Sequence, residues 1–73
     1  MIAKYVNKNM NGLTKKHNYE LYFKKGSGRD YGYYCHIAYD LTSEEEIDKY
    51  LVYSSLISLK NNWEFEKLEL DND

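Results

Sequence analysis

The stretch Tyr19-Glu20-Leu21-Tyr22-Phe23-Lys24 decides the fold class. Tyr19, Leu21 and Phe23 fall on one parity, and Glu20, Tyr22 and Lys24 on the other. Successive side chains of a strand point to opposite faces of a sheet, so this period of two reads as a half-buried β-strand. The same pattern extends outward from it. Downstream, Tyr31 to Tyr39 is rich in β-forming residues. Its odd positions Tyr33, Cys35, Ile37 and Tyr39 make the more apolar face, and its even positions Tyr34, His36 and Asp40 the other, so His36 is expected to point outward. Gly26-Ser27-Gly28 reads as a flexible reversal between the two strands. Upstream, Ile2, Tyr5 and Val6 mark a short first strand, followed by a turn-forming run from Asn7 to Gly12. Near the end, Trp63-Glu64-Phe65-Glu66 alternates again as the last strand. Leu68 and Leu70 then sit on the opposite parity, which makes Lys67 a candidate bulge or strand end.

The segment from Thr42 to Asn62 admits two readings. Ser43 followed by Glu44, Glu45 and Glu46 has the form of a helix N-terminus, with a capping serine and acids in the first turn. Ile47, Tyr50, Leu51 and Ser54 would then form a helical stripe. Against this, Tyr50, Val52, Tyr53 and Ile57 are poor helix formers, and Ser54, Ser55 and Ser58 compete for backbone hydrogen bonds. The preferred reading is an acidic hairpin loop over Thr42 to Glu46, a strand from about Ile47 to Tyr53, and a short 3₁₀ or helical turn across Ser54 to Asn61.

Seventy-three residues make room for one domain, 1–73, with one core. A chain of this size buries only about 60% of the surface it exposes when unfolded. Nine tyrosines against two phenylalanines and one tryptophan supply apolar area whose polar tips must find a partner or water. The single cysteine, Cys35, rules out an internal disulfide. The stretch from Met1 to Met10 lacks the apolar run of a signal peptide, and no stretch approaches the ~20 apolar residues of a membrane span. The expected location is the cytoplasm, with no membrane partner. Net charge is −2, but Met1 to Arg29 holds seven cations and one anion, whereas Asp30 onward holds three cations and eleven anions. In a domain this small the two halves interleave, and most of this charge reads as solvated loops and outer strand faces.

Leu13-Thr14-Lys15-Lys16-His17-Asn18-Tyr19-Glu20-Leu21 resembles the Leu-Thr-x-Gly-Lys-x-Tyr-Glu-Val opening of small phage and prophage proteins with an SH3-like β-barrel. In that family a diverging turn feeds the second strand. The family's Gly-Lys is Lys16-His17 here. Tyr33, Tyr34, Ile37, Tyr39 and Asp40 look like its central strand. Leu51-Val52-Tyr53-Ser54-Ser55 and Trp63-Glu64-Phe65 look like its fourth strand, short turn and closing strand. The resemblance spans Tyr5 to Leu68. It implies a mostly β fold: a small five-stranded, mostly antiparallel barrel with one short 3₁₀ or helical turn before the last strand. It carries over no functional residue.

No catalytic constellation stands out. Cys35 and His36 are adjacent and point to opposite faces of a strand, and no Cys or His pair has zinc spacing. Cys35 reads as a buried small hydrophobe. Gly26-Ser27-Gly28-Arg29 lacks the length and the Lys-Ser/Thr of a phosphate loop. The expectation is therefore a non-enzymatic binding module without cofactor or metal, a phage or prophage accessory protein that docks on a host or phage protein, with inhibition of a host enzyme or defence system among its expected roles. Its binding residues are expected around the Lys25–Tyr31 loop: Lys25, Arg29, Asp30 and Tyr31, extended by Tyr22 and Tyr34 on the flanking strands. The acidic run Glu44, Glu45, Glu46 and Asp48 is a second candidate, suited to a basic partner. A third reading holds single-stranded nucleic acid on Lys24 to Tyr34, where cations interleave with tyrosines. The isoelectric point of about 5.6 weighs against it.

Overall fold

The computed structural model describes residues 1–72. Its strands are β1 (Ile2–Tyr5), β2 (Asn18–Gly26), β3 (Gly32–Asp40), β4 (Glu45–Tyr53), β5 (Trp63–Glu64) and β6 (Leu70–Asn72). A seven-residue helix, α1 (Leu56–Asn62), stands between β4 and β5, and a 3₁₀ turn (Gly28–Asp30) joins β2 to β3. The ambiguous segment is thus strand and then helix. Ser55 caps that helix by accepting a hydrogen bond from the Ser58 amide at 3.1 Å. Ser43 lies instead in the β3–β4 hairpin turn, where its amide and that of Thr42 donate to Asp40 Oδ1 at 3.0 and 2.9 Å.

Strand order is β4-β3-β2-β1-β5, with every neighbouring pair antiparallel. β6 adds to β2 in parallel, pairing Phe23 with Leu70, on the stretch of β2 beyond the Ile2–Lys4 pairing with β1. The expectation of a five-stranded barrel thus meets a six-stranded open sheet. The sheet path ends at β4 on one side and at β5 on the other. Between β4 and the Asn7–Leu13 loop lies a cleft of about 290 Å³ lined by Met10, Leu13, Leu51 and Tyr53. The Lys49 ammonium ties β4 to this loop by donating to the Asn11 carbonyl.

The alternation read in β2 orders the core. Tyr19, Leu21, Phe23, Cys35 and Ile37 are buried together with Ala3, Tyr5, Leu13, Tyr33, Leu59 and Trp63. Leu51 and Phe65, expected inside, are half-buried at the core's margin. Trp63 forms its centre, with ring centroids 5.2 Å from Tyr5, 5.7 Å from Tyr19 and 6.3 Å from Phe23. Buried tyrosine hydroxyls pin the loops around it. Tyr5 donates to the Lys8 carbonyl at 2.9 Å, Tyr19 accepts from the Thr14 amide at 2.8 Å, and Tyr53 accepts from the Trp63 indole N–H at 2.8 Å.

Two bulges correct the expected parities. Glu20 pairs with Tyr39 and Leu21 with Ile37, so β3 carries one extra residue, Ala38, relative to β2. Across the other edge, Ile37 pairs with Lys49 and Tyr39 with Glu46, which gives β4 an extra residue at Ile47–Asp48. Asp48 takes φ 53° there, the left-handed region that Asp tolerates better than most residues. A one-residue slip reverses the faces of everything beyond it. Tyr39, expected inside, therefore shares the outer face with Glu20, and Asp40 turns inward beside Tyr19 and is buried. Glu45 and Glu46 belong to β4 rather than to the hairpin loop, as does Asp48. β5 stops at Glu64, short of the expected alternation to Glu66, and is followed by β6 rather than closing the fold as the last strand.

Candidate functional site

Register sets three rows of side chains across the outer face of β2, β3 and β4. Glu20, Tyr39 and Glu46 form the first, Tyr22, His36 and Tyr50 the second, and Lys24, Tyr34 and Val52 the third. Residues directly opposite on neighbouring strands share a face, with Cβ atoms about 5 Å apart. The middle row is aromatic from end to end. His36 stacks on Tyr50 with centroids 4.3 Å apart and planes 4° from parallel, and Tyr22 follows at 6.2 Å and 31°. The Asp48 carboxylate holds the His36 Nε2 at 2.8 Å, fixing the ring over Tyr50.

Much of this apolar surface faces solvent. Tyr22 is 51% exposed, Tyr50 71% and Val52 60%, while Tyr34, His36 and Tyr39 are half-buried. Surface apolar residues occurring singly need no explanation; Tyr22, His36 and Tyr50 instead form a contiguous aromatic row across three strands, which makes this face the candidate site.

Of the residues expected to bind, Tyr22 and Tyr34 stand on this face. Lys25 does not. It sits on the inward parity, with its ammonium 6.0 Å from the Tyr33 ring centroid. Arg29 and Asp30 are exposed in the 3₁₀ turn, and Tyr31 is exposed with its ring centroid 6.3 Å from that of Tyr33 in an edge-to-face arrangement. The Tyr34 hydroxyl donates to the Asp30 carbonyl at 2.7 Å, and a Cβ on Gly26 would lie 2.1 Å from that same carbonyl oxygen. The loop thus folds back onto its own base. Of the acidic run, Glu46 and Asp48 reach the outer face, whereas Glu44 occupies the hairpin turn with φ 55°. Tyr39, Tyr50 and Val52 complete the patch and were missed. Reading Tyr39 correctly requires the bulge at Ala38, and Tyr50 and Val52 lie in the segment whose helical and extended readings competed.

One grouping superficially resembles a nucleophile triad. His17 Nδ1 lies 2.9 Å from Asp40 Oδ2 and 3.3 Å from Ser43 Oγ. In a Ser-His-Asp relay the carboxylate and the hydroxyl engage opposite ring nitrogens. Here both meet the same nitrogen, so the cluster fastens the β3–β4 turn to the start of β2. Cys35 is buried, and burial pushes its thiol up to about 12, away from thiolate chemistry. Among the described residues, no three His, Cys, Asp or Glu side chains group as a metal site requires, and no helix is long and apolar enough to cross a membrane.

No protein-family model matches the chain, and neither a curated protein nor a solved structure matches it.

Proposed function

We propose that this chain is a non-catalytic binding module that docks on another protein through the outer face of β2, β3 and β4. The observation that carries the reading is the exposed Tyr22–His36–Tyr50 row. It is prearranged by sheet register, so little side-chain freedom remains to be lost on binding. Tyrosine is enriched at interface hot spots because it offers large area with one directed hydrogen bond.

Stacking platforms of this kind also hold single-stranded nucleic acid, which keeps that as a second reading. Charge favours protein. The face carries Glu20, Glu46 and Asp48 against Lys24, a poor match for a phosphate backbone.

Several features support a small phage or prophage accessory protein with an SH3-like fold. The closing strand returns to β1, and the short helix lies between the fourth strand and that return. Lys16 occupies the position of the family's glycine and has φ 73°, the left-handed region glycine favours. On this reading the partner is a host protein in the bacterial cytoplasm, an enzyme or defence factor whose activity the module blocks.

The test compares what the native chain and a Tyr22→Ser/Tyr50→Ser variant retain from host lysate, with labelled single-stranded oligonucleotides assayed in parallel over a salt series. A protein held by the native chain and lost by an equally well-folded variant supports the reading. Salt-dependent oligonucleotide binding lost in the same variant, with no protein difference, transfers it to nucleic acid. Retention of the same proteins by both chains overturns it.

A further inference from the structure

We propose that the partner presents an arginine to this face, its guanidinium laid over the Tyr39–Tyr50 end of the patch. The inference rests on the docking reading above and adds the chemistry of the docked group. The three rows are not equivalent. The first, Glu20–Tyr39–Glu46, places a carboxylate on each side of a tyrosine. Asp48, bonded through Oδ1 to His36, keeps its second oxygen for another donor and stands beside the Tyr50 stack. The third row, Lys24–Tyr34–Val52, holds a lysine whose β6 neighbour in register is Asp71, and the Arg29 loop lies beyond it. The face therefore runs from aromatic and anionic at one end to aromatic, aliphatic and of mixed charge at the other.

A planar, weakly hydrated cation suits the first end. A guanidinium stacks on tyrosine rings while its in-plane N–H donors reach flanking carboxylates, two demands that a strongly hydrated ammonium meets less well. Anionic ligands meet repulsion there. At the opposite end, Val52 and Tyr34 offer apolar cover for a neighbouring aliphatic residue of the same segment. The occupant is thus a basic segment led by arginine, with an apolar residue beside it.

The experiment titrates the isotope-labelled chain with a blocked peptide containing arginine and leucine, following amide shifts. Matched peptides carry lysine, citrulline or glutamate in place of arginine. Saturable shifts at Tyr22, His36, Tyr39 and Tyr50 are expected with the arginine peptide. Affinity should be about fivefold weaker with lysine and should fall at least as far with citrulline. A Glu20→Gln/Glu46→Gln/Asp48→Asn variant should lose a similar factor. It keeps the side-chain shapes, and Asn tolerates the left-handed backbone at position 48. Equal binding of the citrulline or glutamate peptide, shifts centred elsewhere, or no binding at all would overturn the proposal. If the arginine peptide fails while the Tyr22/Tyr50 variant still loses a captured protein, docking through the face stands and the arginine assignment alone falls.

Discussion

His17 Nδ1 lies 2.9 Å from Asp40 Oδ2, and this contact ties the residue before β2 to the last residue of β3. Burial works against the charge on Asp40. The hydrogen bond from His17 and those from the Ser43 and Thr42 amides outweigh it and hold the carboxyl below its ordinary range. A carboxyl held down in the folded chain takes up its proton less readily there than in the unfolded chain. Its stabilisation is complete above the ordinary aspartate value of about 3.9 and is lost as pH falls through the lower folded value. Thermal melts from neutral to acid pH should show this loss. Asp40→Asn should cost about 1–3 kcal/mol at neutral pH and flatten the acid limb. An unchanged acid limb in the variant would assign the titration to another group.

Cys35 should be chemically quiet. It is 1% exposed, and burial pushes its thiol up to about 12. Labelling by a thiol reagent at neutral pH should proceed only as fast as the chain opens, and should accelerate sharply in denaturant. Fast labelling of the native chain would place Cys35 on the surface and disprove the inward parity of β3.

Tyr53→Phe isolates one hydrogen bond at the margin of the core. The Trp63 indole N–H donates to the Tyr53 hydroxyl at 2.8 Å, and Trp63 is 2% exposed. Removing the acceptor strands a buried donor, with an expected loss of about 1–3 kcal/mol in chemical denaturation. A neutral result would mean that water reaches the indole from the neighbouring cleft.

The β2–β3 loop makes a paired prediction. A Cβ on Gly26 would meet the Asp30 carbonyl oxygen at 2.1 Å and the Tyr34 ring at 2.7 Å, whereas one on Gly28 meets nothing within 4 Å. Gly28 has φ 62°, so alanine there is strained by about 1–2 kcal/mol through the backbone alone. Gly26→Ala should be the more destabilising change, because the loop must part from its base. The reverse order of melting temperatures would show that the loop yields freely.

Much of the scaffold was legible because it depends on local alternation. Tyr19, Leu21 and Phe23 lie inside as their spacing requires, as do Cys35 and Ile37. The reading fails where pairing between strands overrides local period. Ala38 is an ordinary residue in the sequence, yet bulging there reverses Tyr39 and Asp40 and so creates both the buried turn clamp and part of the outer patch. β6 is three residues whose pairing with β2 is decided by distant chain, beyond reach of any periodicity. The Ser43-Glu-Glu-Glu signal is not used as a helix start: Asp40 accepts from the Ser43 amide that Glu46 would have met in a capping box, and Glu45 and Glu46 pair into β4. Of the site, Tyr22, Tyr34 and the outward placement of His36 could be read from parity alone. Tyr50 joined them only once β4 paired with β3.

The most direct test of the account is amide-shift mapping of a captured partner, or its binding fragment, on the isotope-labelled chain. The largest shifts are expected on Tyr22, Tyr34, His36, Tyr39 and Tyr50, with the buried β2 residues Leu21 and Phe23 little changed. Shifts concentrated on Ser27 to Tyr31, or on Thr42 to Glu45, with the outer face of β2, β3 and β4 silent, would contradict it.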